Sequence, residues 1–90
     1  MMRNIVFSFK IDKPDDIKST FSKLKEELAP MGGKVEGDEK KGFIAVLGAE
    51  GGYEVAEDYI LITITKKPSI LLPNRLIEKE IRSTFEKIST

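Results

Sequence analysis

Four segments of the chain carry apolar residues at a period that fixes their type. Ile5, Phe7, Phe9 and Ile11 are apolar at every second position, with Val6, Ser8 and Lys10 between them. Period two predicts a strand over residues 4–11 with one buried side. Residues 59–65 repeat the pattern, with Ile60, Ile62 and Ile64 on one side and Tyr59, Leu61, Thr63 and Thr65 on the other. Ile17, Phe21, Leu24 and Leu28 recur at helical spacing and predict a helix with a single apolar stripe. Ile77, Ile81, Phe85 and Ile88 form a second stripe, flanked by Leu76 and Thr84, and predict a helix over residues 74–88.

Between these segments the chain is punctuated. Asp12-Lys13-Pro14-Asp15-Asp16 reads as a helix start, with Pro14 expected at the first helical position and the two following aspartates near the positive end of the dipole. Ala29-Pro30 ends that helix, and Gly32-Gly33 supplies a left-handed cap. A short strand is expected over 34–36, a polar turn over 37–41, and a strand over 42–47. The 42–47 strand is apolar or small on both faces, which places it centrally in a sheet. Gly48-Ala49-Glu50-Gly51-Gly52 reads as a second turn, followed by a short strand over 53–55 and a turn at Ala56-Glu57-Asp58. Pro73 suits the first turn of the closing helix.

The resulting order is β-α-β-β-β-β-α. Short strands joined by tight turns predict antiparallel pairing. Only one side of the sheet is consistently apolar, so both helices are expected on that face of a single α+β domain spanning residues 1–90. Burying a large apolar side chain yields about 1.5–3 kcal/mol before entropy is subtracted, so sheet and helices depend on each other.

Composition narrows the chemistry. Lys+Arg and Asp+Glu number 15 each, and they are interspersed. No basic stripe suits a phosphate backbone, so nucleic acid is not an expected partner. There is no cysteine and no histidine, which excludes thiolate and imidazole metal sites and the Ser–His and Cys–His nucleophile pairs. No apolar run approaches the roughly 20 residues of a membrane span. Residues 1–10 lack the apolar core of a signal peptide, so a cytoplasmic location is expected.

Candidate chemistry is sparse. Asp38-Glu39 and Glu57-Asp58 pair carboxylates in turns, where solvated turn formers are the plain reading. The glycine-rich run at 48–52 lacks the lysine and hydroxyl of a phosphate loop. Tyr53 and Tyr59 are candidates for holding a ligand in a sheet cleft, against the plainer role of cross-strand packing. Ile70-Leu71-Leu72-Pro73 places three bulky apolar residues in a connection. It reads first as a plug between sheet and helix, and second as an exposed patch for a partner. No catalytic, cofactor-binding or metal residue is expected, and an enzyme is the lesser expectation.

Several of these motifs occur together elsewhere. Gly33 with Gly37-Asp38 ahead of a strand, Gly52 followed by Val55 and Asp58, and the run Ile60-Leu61-Ile62-Thr63-Ile64 form one block. The apolar Ile70-Leu71-Leu72-Pro73 and the helical Ile77-Glu78-Lys79-Glu80-Ile81-Arg82 follow. Over residues 33–88 the chain resembles the polyhydroxyalkanoic acid system proteins, encoded near bacterial polyester-granule genes. It departs from them at Val35-Glu36, where an aromatic is usual, and in a first strand without their His and Arg. The resemblance implies a compact βαββββα unit that acts by binding; the shape is also similar to a reduced helix-grip fold, and no cofactor is expected. The expected function is a non-enzymatic interaction module, for a protein partner or for itself, with a link to polyester granules. The alternative is a small carrier or cyclase-like protein holding an apolar ligand between the closing helix and the sheet.

Overall fold

The computed structural model describes residues 5–46, 48–68 and 73–89. Five strands form one antiparallel sheet in the order β1-β5-β4-β3-β2. The strands are β1 (Phe7–Asp12), β2 (Lys34–Gly37), β3 (Lys41–Val46), β4 (Ala49–Val55) and β5 (Tyr59–Lys66). Helices α1 (Ile17–Leu28) and α2 (Asn74–Ser89) lie side by side on one face. Fold class and element order are as the hydrophobic pattern predicts.

Alternation explains the layering. Phe9, Ile11, Val35, Ile44, Val46, Ala49, Tyr53, Ile60, Ile62 and Ile64 all point under the helices and are buried. Ile60, Ile62 and Ile64 are at most 1% exposed, which makes β5 the floor of the core. From above, Phe21, Leu24 and Leu28 of α1 and Ile77, Ile81, Phe85 and Ile88 of α2 close on them. Ile17 is only partly buried, while Thr20 and Thr84 join the buried set. The Thr84 hydroxyl donates to the Glu80 carbonyl at 2.9 Å, so its polar atom is satisfied inside the helix.

The topology follows from the position of β1 and β2 at opposite edges. Four interstrand gaps of about 4.8 Å separate them, roughly 19 Å. A helix of 12 residues spans about 18 Å, so α1 carries the chain across the sheet in one step. The meander β2-β3-β4-β5 then returns, and β5 slots in beside β1.

Three local expectations need correction. Pro14 does not open α1. Asp16 is the N-cap, with extended backbone, and its carboxylate accepts from the Ser19 N–H at 3.1 Å. A capping carboxylate satisfies an orphan donor, which proline cannot do, so the helix begins at Ile17 and the first turn holds no acid. At the other end Pro30 sits in a short 3-10 turn, Ala29–Met31, and Gly32 takes the left-handed conformation at φ 76°.

The second correction concerns residues 48–52. They are not a turn: Val46 faces Ala49 directly, and β4 runs through Glu50, Gly51 and Gly52 as the middle strand. Gly48, with φ 84°, is the turn residue that positive φ requires. A β-bulge lies between Glu50 and Gly51. A Cβ on Gly51 would overlap the Thr63 carbonyl oxygen, so the glycine permits close strand approach rather than chain reversal. Third, β3 is an interior strand, but the centre of the sheet belongs to β4.

Candidate functional site

Tyr53 organises the α1 end of the molecule. It lies on β4 opposite Gly42 of β3, with Ile62 on its other side. Its ring lies over Gly42, where a Cβ would come within 2.7 Å of the ring edge. The ring also meets Phe21 of α1 at 4.7 Å between centroids, tilted by 37°. Beyond Gly42 the hydroxyl reaches the β2–β3 turn and donates to the Asp38 carbonyl at 2.6 Å. Burial of the ring, and secondarily the Asp38 charge, raises the tyrosine's pKa above the ordinary phenol value.

Asp38 closes that turn from its other side. Its Oδ1 accepts from the Lys40 N–H at 2.8 Å and the Lys41 N–H at 3.0 Å. These two bonds, that from Lys41 first, hold its carboxyl below the ordinary range although the group is exposed. The Asp38-Glu39 pair is therefore a turn device with one carboxylate already committed. Among the described residues no group of His, Cys, Asp or Glu is arranged to hold a metal ion.

Tyr59 is not part of the same cleft. It lies on the outer face of β5, half-buried, with the Lys10 ammonium 4.5 Å from its ring centre. The two tyrosines occupy opposite faces because Tyr53 shares register with Ile62, whereas Tyr59 is an odd-numbered neighbour of the inward Ile60. Ile70, Leu71 and Leu72 lie outside the described residues, so plug and patch are both untouched by the structure.

Three surfaces remain. One is the outer sheet face, where Leu61, Thr63 and Thr65 are half-buried and Phe43 is 36% exposed. The second is a groove of about 530 Å³ between α1 and the β2–β3 hairpin, floored by Phe21, Val35 and Tyr53. The third is the outer edge of β1, which no strand among the described residues pairs. Beneath α2, by contrast, Ile77, Ile81, Phe85 and Ile88 are each at most 8% exposed, and Arg82 lies over Phe9 at 5.3 Å from the ring centre.

The β1 edge has a definite phase. The Lys13 N–H donates to the Asp58 carbonyl at 3.2 Å, in step with the β1–β5 register, whereas the Val6 N–H donates to the carbonyl of Ile64, the partner of Phe7, so the ladder is irregular just before Phe7. Antiparallel ladders alternate, so Phe7, Phe9 and Ile11 direct their backbone groups to β5. Ser8, Lys10 and Asp12 direct theirs outward. Ile5 and Val6, at the mouth of this edge, are 60% and 40% exposed. The opposite edge, β2, has only four residues and packs beneath α1.

Sequence reasoning missed the glycines. Gly37, Gly42 and Gly51 each leave room for a neighbour, and only their register against Tyr53 and β5 reveals it. Compared with family models, with curated proteins and with solved structures, the chain matches none of them. Among the described residues no helix is long and apolar enough to cross a membrane.

Proposed function

We propose that the protein is a non-enzymatic interaction module that binds an extended strand along the free edge of β1. The observation that carries this reading is the edge itself. Three of its six residues, Ser8, Lys10 and Asp12, turn their N–H and C=O groups outward, with no proline inside the strand. Natural edges are commonly guarded by proline, bulges or projecting lysines. The one lysine here, Lys10, folds back over Tyr59. Main-chain pairing of this kind supplies affinity with little demand on side-chain chemistry, which suits a chain with neither histidine nor cysteine.

The partner strand belongs to a second copy or to another protein. Two copies of β1 paired antiparallel about Phe9 set Lys10 opposite Ser8 and Phe7 opposite Ile11. A two-fold centred on Lys10 would place like charges face to face, which is unfavourable. The resemblance to the polyhydroxyalkanoic acid system proteins supports the same class of function and suggests granule-associated proteins as partners to test.

Sedimentation velocity across the micromolar range is the first measurement, followed by Lys10→Pro. That substitution removes an outward donor and leaves the β1–β5 ladder intact. Association should disappear while the circular dichroism spectrum and melting temperature hold, and Ser8→Pro should behave alike. A strictly monomeric protein that captures no strand-bearing partner, or association indifferent to both prolines, sinks the proposal.

A further inference from the structure

The geometry points to a second, separate site: the groove between α1 and the β2–β3 hairpin binds a small monocarboxylate with an apolar body. It lies at the far side of the sheet from β1 and does not depend on strand pairing.

Its volume, about 530 Å³, falls within the range of small-molecule pockets. The floor is apolar. Phe21, Val35 and Tyr53 are each at most 9% exposed overall, and the tilted rings of Phe21 and Tyr53 form one continuous surface. The Tyr53 hydroxyl hydrogen is already given to Asp38, so the floor offers an aromatic or acyl body no donor to compete for.

The rim is polarised. Lys18 and Lys25 are seven residues apart on α1, about 10 Å along the axis, with Ser22 between them. At the hairpin end two lysines, Lys18 and Lys40, face two acids, Asp38 and Glu39; Lys18 lies 3.6 Å from Glu39, and Asp38 accepts from two backbone N–H groups. At the other end, among the described residues, no carboxylate lies within ion-pair distance of the Lys25 ammonium. With Lys18 and Lys40 balanced by Asp38 and Glu39 at the hairpin end, Lys25 beside the Ser22 hydroxyl is the net charge of the rim, and it matches a single carboxylate. The apolar body of the ligand then extends from Lys25 toward the hairpin, across Val35 and the two rings. A cationic ligand would meet Lys25 at its charged end, and a strongly acidic one would meet Glu39 and Asp38 at the other.

The test is a titration of the isotope-labelled protein with 3-phenylpropanoate, followed by amide chemical shifts. Shifts are expected at Phe21, Ser22, Lys25 and Val35. The uncharged amide of the same acid should bind about fivefold more weakly, as should 3-phenylpropanoate to Lys25→Gln, the measure of one partly exposed charge pair. Lys66→Gln, at a distant surface, should change nothing. Absence of saturable shifts up to the solubility of the acid overturns the assignment. So do equal affinities for acid and amide, an unaltered Lys25→Gln, or shifts confined to β1 or the outer face.

Discussion

One row of residues crosses the sheet beneath the helices: Phe9, Ile62, Tyr53, Gly42 and Gly37. Its two halves are built differently. Beneath α2, Phe9 and Ile62 each fill their own place and meet the Ile77–Ile81–Phe85 stripe. Toward α1, two glycines have no side chain, and one tyrosine lying over Gly42 covers for both. A strand glycine loses packing and costs backbone entropy, and a cross-strand aromatic restores the lost surface. The first half distributes its stability over many aliphatic contacts. The second concentrates it in one ring and one hydroxyl, and leaves open space beside α1.

That contrast can be broken at either end. Ile62→Ala removes a fully buried side chain and should cost about 2–5 kcal/mol by chemical denaturation, the largest effect expected. Gly42→Ala drives a methyl against the Glu36 backbone carbonyl as well as the Tyr53 ring and should cost about 1–3 kcal/mol or more. Gly52→Ala is its control. On the outer face the added carbon meets only the Gly42 carbonyl at 3.2 Å, so the change should stay within about 1 kcal/mol of either sign. Equal penalties at Gly42 and Gly52 would remove the distinction between the two faces of the glycine cluster.

Tyr53→Phe keeps the ring and deletes the bond to the Asp38 carbonyl, for about 0.5–1.5 kcal/mol. It also carries a pH signature. A phenol whose pKa is raised by folding contributes stability that is present below the unfolded value, near 10, and is lost as pH rises beyond it. Melting temperature should therefore fall more steeply above about pH 10 in the parent than in Tyr53→Phe. Asp38 works in the opposite sense. Its carboxyl is depressed, so its contribution is present above about pH 4 and lost as pH falls through the folded value. The acid limb of a melting curve should be shallower in Asp38→Asn. Smallest of all, Glu78→Gln weakens the pair with Arg82, at 2.7 Å, by a few tenths of a kcal/mol.

The same contrast explains what was legible in the sequence. β1, β5 and both helices announce themselves through side-chain period, because each buries a stripe of large residues. The Glu78–Arg82 pair and the stripe at Ile77, Ile81, Phe85 and Ile88 follow directly from spacing. The glycine-rich half was misread because glycine leaves no period. Gly51 and Gly52 look like a turn until Thr63 is known to lie against one of them. Tyr53 was legible as a candidate by type, but its partner Phe21, its seat over Gly42 and its separation from Tyr59 depend on register across three strands. The Lys18–Lys25 spacing on one helical face was readable in principle. Its meaning required the hairpin acids to be placed at one end only.

The placement of β1 beside β5 has a consequence for biosynthesis. Phe7 lies opposite Ile64, so β1 finds its sheet neighbour only after the whole intervening meander has been synthesised. Nearby strands close short loops and assemble early, whereas this pairing must close a long one. Until then an alternating apolar segment is unpaired along both margins, and in the nascent chain it is a stretch that other extended segments can reach first.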